Sequence, residues 1–377
     1  MRRLIVGLLL GSVTAAQAAV LPEDRADAMY HEYSGGGVTV NGPSILVRKK
    51  VGDNVSVVGN YYVDSVSSAS IDVKLSASKY TERRTERTLG VDYLRGNAIM
   101  SLSYTNSVES DYDANTANVS ISQDMFGDLT TVTLGFGRGW DTVGQSTDPS
   151  FKEPVDRRNY RLGLSQILTK NLILSLNYEA ITDEGLLNNP YRSYRFYSGP
   201  SNDQFQLASE NFKYPNTRTS GAARISLKYY LPWRGAVHGS YRYFSDTWGI
   251  QADTYEAGYT HTLDSGWVLD FKYRYYTQTK ADFYADIFPR EDAQNFMARD
   301  KELSTYQAQT VGFGVSYDFL RNGWGFLDRG SLNLDFDHMR FHYDNFRDAT
   351  AAGYDAGQEP LYEFSANVTR AFISLWY

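Results

Sequence analysis

The stretch ARISLKYYLPWRGAVHGSYRYFSDT, residues 223–247, holds the pattern that decides the fold. Ala223, Ile225, Leu227, Tyr229 and Leu231 alternate with Arg224, Ser226, Lys228 and Tyr230. A period of two marks a strand with one apolar and one polar face. A tight break at 232–235 then leads into a second alternating block. Working outward, Leu172, Leu174, Leu176, Tyr178 and Ala180 alternate with Ile173, Ser175, Asn177 and Glu179. Val311, Phe313, Val315, Tyr317 and Phe319 do the same with Gly312, Gly314, Ser316 and Asp318. Similar blocks lie near 54–64, 86–95, 98–107, 114–124, 129–140, 157–168, 252–263, 266–277 and 329–343. Each is about ten residues long, enough for a tilted strand to cross a bilayer.

Alternation alone also fits a soluble β-sandwich; the connections separate the two. Tight turns fall at 51–54, 96–97, 125–128, 169–171, 232–235, 263–266 and 320–325. Between them lie the longer stretches 65–85, 141–156, 183–217, 278–305 and 344–360, with shorter ones at 108–113 and 248–251. Up-and-down strands place alternate connections on opposite ends, giving the short periplasmic turns and long outer loops of an outer-membrane barrel. A Greek-key sandwich has no reason to sort its loops in this way. No stretch of 18 apolar residues follows the N-terminal segment, and mean hydropathy is −0.44, which excludes a helical membrane protein.

The final strand sets direction. Ile373, Leu375 and Tyr377 occupy every second place up to the C-terminus, with Ala371 continuing the face. A terminal aromatic on such a strand resembles the signal read by the barrel-assembly machinery, and it places the C-terminus in the periplasm. Fifteen strands are visible, and an even number is required if the exported N-terminus starts on the same side. A sixteenth is therefore expected near 26–40, split from the next by the hairpin-type dipeptide Asn41-Gly42. The expected fold is all-β: an antiparallel up-and-down transmembrane barrel of sixteen strands, with fourteen as the alternative. Residues 329–343 change phase, with Leu332, Leu334 and Phe336 apolar at even positions and Met339, Phe341 and Tyr343 at odd ones. Either a β-bulge near Asp337-His338 reconciles the halves or the strand leaves the membrane there.

Residues 1–18 read as an export signal. Arg2 and Arg3 precede a short apolar core, and Ala16-Gln17-Ala18 offers a small-x-small cleavage site. The barrel is then expected over 19–377, with 19–27 as a short periplasmic lead and the outer membrane as destination. The chain has no Cys, which removes disulfides and thiolate metal sites. Its 30 Tyr, 19 Phe and 6 Trp suit a bilayer interface, where amphipathic rings sit among headgroups. A formal charge of −7 with no basic tract gives no case for nucleic-acid binding.

Several strings carry a family resemblance: LPEDRADAMYHEYSGGGVTVNGPSILVRKK (21–50), ITDEGLLNNPYR (181–192), YYLPWRGAVHGSYRYFSDTWGI (229–250), RYYTQTKADFYADIF (274–288) and QNFMARDKELST (294–305). They resemble an uncharacterised proteobacterial outer-membrane β-barrel family, classed only as a domain of unknown function. The likeness covers essentially the whole mature chain and implies no catalytic residues. It implies company with a small lipoprotein or with redox- or flavin-linked envelope proteins.

With the alternating apolar residues facing lipid, Arg161, Arg224, Lys228, Arg242, Lys272 and Arg274 face inward, against Asp92, Glu179 and Asp270. Arg224, Lys228 and Arg242 fall on successive strands and form either a basic wall favouring anions or part of a self-paired lining. His338 and His342 share a strand face but stand about 13 Å apart, too far to hold one ion. No metal or cofactor is expected. The long loops offer Asn188, Asn189, Tyr191 and Arg192 in one and Asp282 and Asp286 in the other, as a constriction, a docking surface or an ordered cap. Acidic pairs in the second loop lack the regular spacing of a calcium hand. The function expected is non-enzymatic, a solute channel or a scaffold for envelope partners. The alternative is a surface hydrolase built on a barrel, for which no nucleophile signature stands out.

Overall fold

The computed structural model describes residues 19–68, 80–320 and 323–377, so the expected signal lies outside the described residues. The first half of the chain forms β1 (Arg25–Gly35), β2 (Val38–Val51), β3 (Val55–Ser68), β4 (Tyr80–Arg95), β5 (Ala98–Val108), β6 (Tyr112–Met125), β7 (Thr130–Gln145), β8 (Asp148–Thr169) and β9 (Leu172–Gly185). A small hairpin follows, β10 (Ser193–Ser198) with β11 (Gln204–Ser209). The second half forms β12 (Thr217–Leu231), β13 (Gly235–Asp246), β14 (Gln251–Thr262), β15 (Trp267–Gln278), β16 (Tyr306–Asp318), β17 (Arg329–Arg347) and β18 (Leu361–Trp376). All but the β10–β11 hairpin pair with their chain neighbours, β9 with β12, and β1 closes on β18 from Arg25↔Trp376 to Gly35↔Ala366. The result is a closed barrel of sixteen antiparallel strands, which leaves no edge with unsatisfied backbone groups in hydrocarbon.

The outer wall carries the alternating set. Leu89, Leu102, Leu134, Leu162, Ile225, Leu227, Phe271, Phe313, Leu332 and Leu334 are all exposed. Such a band is the surface that lipid solvates. At the closing seam Ile373 registers with Ala28 and Leu332, and Leu375 with Ala26 and Gly330. The Tyr377 hydroxyl donates to the Arg48 carbonyl at 3.1 Å, and Lys49 Nζ stands 4.7 Å over its ring.

Three expectations need correction. The first hairpin turns at Gly36-Gly37, both at positive φ (58° and 77°), and not at Asn41-Gly42. A two-residue turn of this hand needs φ > 0 at both places, which two glycines supply. Asn41 and Gly42 lie inside β2, where a Cβ on Gly42 would stand 1.9 Å from the Val63 carbonyl oxygen. Residues 141–156 are no loop either, because β7 and β8 run on to Gln145 and Asp148 as a long hairpin. Finally, β17 has no bulge at Asp337-His338: its register with β16 and with β18 is unbroken from Ser331 to His342. The strand leaves the membrane there. Odd positions face inward from Ser331 to Tyr343, and above Phe336 the outward positions His338, Arg340 and His342 are polar and exposed.

Candidate functional site: a capped, charge-lined lumen

The lower lumen is built by the polar half of each alternating strand. Arg224 stands opposite Arg242, Lys228 opposite His238, and Arg274 opposite Glu256. Like charges in direct register repel. Glu256 answers from the next strand, 3.4 Å from Arg224 Nη2, and the Arg242 guanidinium lies 5.6 Å from the Phe244 ring centre. On β8 and β9, Arg161 donates to Asn118 Oδ1 at 3.1 Å and Glu179 accepts from Asn159 at 2.7 Å.

The wall beyond β14 is different. Lys272 reaches across Gly312 to Asp337, 2.8 Å away, and Arg370 meets the same carboxylate at 3.1 Å. A Cβ on Gly312 would come within 2.3 Å of Asp337 Oδ1 and 2.5 Å of Lys272 Cε, so glycine opens the path for that pair. Asp270 accepts from Thr260 Oγ1 at 2.6 Å. Of the nine charged residues read as lumen-lining, Arg224, Lys228 and Arg242 fall together on β12 and β13, while β15, β17 and β18 carry mixed, paired charge.

An apolar core crosses the barrel at its loop end. One contiguous core joins Val143 of β7 and Val155 of β8 to Tyr306 and Ala308 of β16 and Tyr343 of β17. Phe346 of β17 belongs to it, with Leu186, Leu187, Tyr214, Trp248, Phe283 and Tyr284 from the loops. β7 and β17 stand half the ring apart in the order of the sixteen strands, so this core spans the mouth. A second cluster, Tyr194, Phe196, Phe288 and Met297, fastens the β10–β11 hairpin to the loop over 279–305.

Buried charge ties the loops together. Arg195, fully buried, donates from Nη1 to Glu359 at 2.5 Å, from Nε to the Asp286 carbonyl at 2.9 Å, and from Nη2 to the Asp286 carboxylate. Arg299 donates to the Asp286 and Arg347 carbonyls at 3.0 and 2.9 Å and stacks 4.3 Å from the Phe346 ring centre. Glu210, also fully buried, accepts from the Arg299 amide at 2.6 Å and the Tyr214 hydroxyl at 2.8 Å. Burial pushes its carboxyl up to about 7, against the pull of that amide and of the Arg192 charge.

The loop residues singled out in the sequence all fall in this cap. Asn188 donates to the Glu210 carbonyl at 3.1 Å, Asn189 Oδ1 accepts from the Tyr191 amide at 3.0 Å, and Arg192 pairs with Asp300 at 3.1 Å. Tyr191 bonds to Asp111 at 2.5 Å, bridging to the β5–β6 connection. Asp282 crowds Gly249, and Asp286 joins the arginines. Asp292, in the same loop as Asp282, pairs with Lys213 at 2.8 Å. Glu210, Arg299 and Glu359 had no local signature; each is recognisable only by the partner it meets from another loop.

His338 and His342 face outward on β17, His338 against Asn367 at 2.8 Å and His342 within 3.8 Å of Asp344 and 3.7 Å of Glu363. On the rim, Glu82, Glu109 and Asp111 bring carboxylate oxygens within 4.8 Å of one another, with Ser110 donating to Glu82 and Tyr191 to Asp111.

A closed sixteen-strand barrel with a lipid-facing apolar wall defines an outer-membrane β-barrel protein. The family model "Protein of unknown function (DUF3570)" matches residues 75–329, and the chain belongs to that family. No curated protein matches the sequence. Among solved structures it is similar to a bacterial polysaccharide outer membrane secretin (9% identity, TM-score 0.49, covering 96% of this chain and 99% of that one). It is also similar to in-vitro folded OmpT of Vibrio cholerae (11%, 0.42, 96% and 100%) and to the siderophore receptor PirA from Acinetobacter baumannii (8%, 0.45, 93% and 60%).

Proposed function

We propose that this is a non-enzymatic barrel that works from its periplasmic side, as a scaffold or conduit for envelope partners, with its outer mouth shut at rest. The observation that carries this reading is the apolar core running from β7 and β8 to β16 and β17 across the mouth. Free diffusion needs a continuous aqueous path, and aromatic rings occupy the place of a polar constriction. Below them a basic wall at Arg224, Lys228 and Arg242 favours an anionic group arriving from the periplasm. The family resemblance makes a small lipoprotein or a redox- or flavin-linked envelope protein the first partner to seek. Export through a signal cleaved after Ala18, and insertion by the assembly machinery through Ile373, Leu375 and Tyr377, belong to the same proposal. A gated solute channel is the second reading, favoured by the charge of the lower lumen, and it requires the cap to move.

The chain has no Cys, so a single Ser226→Cys reporter on the lumen face of β12 tests the orientation of access. A membrane-impermeant maleimide should leave it unlabelled on intact cells and label it once the periplasm is opened. Rapid labelling on intact cells would overturn the proposal.

A further inference from the structure

On the outer wall, at the loop end of β2, β3 and β4, two rungs of small polar side chains lie side by side. Asn41, Ser65 and Arg83 form one rung, and Thr39, Ser67 and Thr81 the next. Together with Val66 and Glu82 they line a notch of 440 Å³. Beneath it stand Ile45, Tyr61 and Arg87, and then the apolar rung Val47, Gly59 and Leu89.

The height of the notch fixes its surroundings. Ten residues separate the lowest outward rung, Val51, Val55 and Tyr93, from Ser65. At about 3.3 Å per residue and a tilt of about 45° this is roughly 23 Å, close to the ~25 Å of the apolar band. Arg87 and Arg83 therefore stand where hydrocarbon gives way to outer-leaflet headgroups. Both guanidiniums are exposed, and neither has an ion pair or hydrogen bond among the described residues. Two acids are near. Glu32 registers with Asn41 on the side away from Arg83, and Glu82, which accepts from Ser110 Oγ at 2.8 Å, sits with Glu109 and Asp111.

We infer that this notch binds the phosphorylated sugar headgroup of an outer-leaflet glycolipid. Its hydroxyls and the Asn41 amide match a sugar's alternating donors and acceptors, the Arg83 fork at the notch matches a phosphate monoester, and Arg87, four residues below on the same face, offers a fork to a second phosphate. A cation left unpaired at this height has no other counter-charge as abundant as lipid phosphate. Phosphoglycerol lipids offer the phosphate without the sugar ring and fill less of the cavity.

The experiment is a lipid titration of the folded, detergent-solubilised barrel read by native mass spectrometry. Three probes are used: an acylated glucosamine disaccharide carrying two phosphates, the same lipid with both phosphates removed, and phosphatidylglycerol. The bis-phosphorylated lipid should bind wild type as a 1:1 adduct, and about tenfold more weakly to Arg83→Gln/Arg87→Gln, the loss of charge-assisted bonds. The dephosphorylated lipid should lose a similar factor on wild type, and Ser65→Ala/Ser67→Ala should weaken sugar lipids while leaving phosphatidylglycerol unchanged. Equal affinity for phosphatidylglycerol, or an unchanged affinity in the arginine variant with its heat-modifiable gel shift intact, would overturn the inference. The comparison of lipids on wild type stands whether or not a variant folds.

Discussion

The two halves of β17 face the same way and bury opposite chemistry. In the lower half Asp335 and Asp337 point inward while Leu332, Leu334 and Phe336 meet lipid. In the upper half Phe341 and Tyr343 point inward to the mouth core while His338, Arg340 and His342 meet water. Alternation assigns faces; the solvent outside decides what each face carries. Within the membrane the barrel is polar inside and apolar outside, and beyond it the same strands build the ordinary dry core of a soluble protein.

If the two regions are separate cooperative units, damage to one should spare the other. The largest expected effect is Arg195→Ala. It leaves Glu359 without its buried cation and Asp286 with Arg299 alone, a loss of about 3–5 kcal/mol, localised to the cap. Limited proteolysis should then cut within 183–217 at protease levels that spare wild type, while the barrel keeps its heat-modifiable migration. Loss of that migration would show the cap and barrel to be one unit.

Acidity should sharpen the contrast next. The folded Glu210 carboxyl titrates at about 7 against an ordinary 4.5, so the folded cap holds a proton that the open cap releases. Its contribution is complete below pH 4.5 and is lost as pH rises through about 7, on the order of 3 kcal/mol in all. Below that window Glu359 works the other way. Burial raises its pKa, but the Arg195 bond outweighs this and holds it under the usual range, so strong acid weakens that pair. The urea concentration needed for loop proteolysis should therefore fall between pH 4.5 and 7. Glu210→Gln should flatten the curve, and an unchanged slope in that variant would assign the effect elsewhere.

The smallest effect belongs to the lower wall. Gly312→Val places a side chain between Lys272 and Asp337 and should cost about 1–3 kcal/mol of barrel stability through overpacking. Urea unfolding of the barrel should report this, with cap proteolysis unmoved.

Much of the barrel could be read from period and connection length, because a lipid-facing strand has little freedom in composition. Parity correctly required the strand now seen at Arg25–Gly35, but its turn was misplaced. Asn41-Gly42 has the stronger hairpin propensity, yet Gly42 answers a close backbone approach from Val63, and Gly36-Gly37 makes the turn. The pairing of Arg224 with Arg242 across β12 and β13 was legible too, since register follows from a tight turn. The cap was legible only as excess length in 183–217 and 278–305. Its keystone joins Arg195 to Glu359, 164 residues away, and no periodicity links residues on different loops.

Closure of the mouth is most directly tested by single-channel recording of the purified wild-type barrel in a planar bilayer at neutral pH. Steady conductance should be absent, and stepwise openings should appear in Arg195→Ala. Stable porin-sized steps from the unperturbed protein would contradict the account.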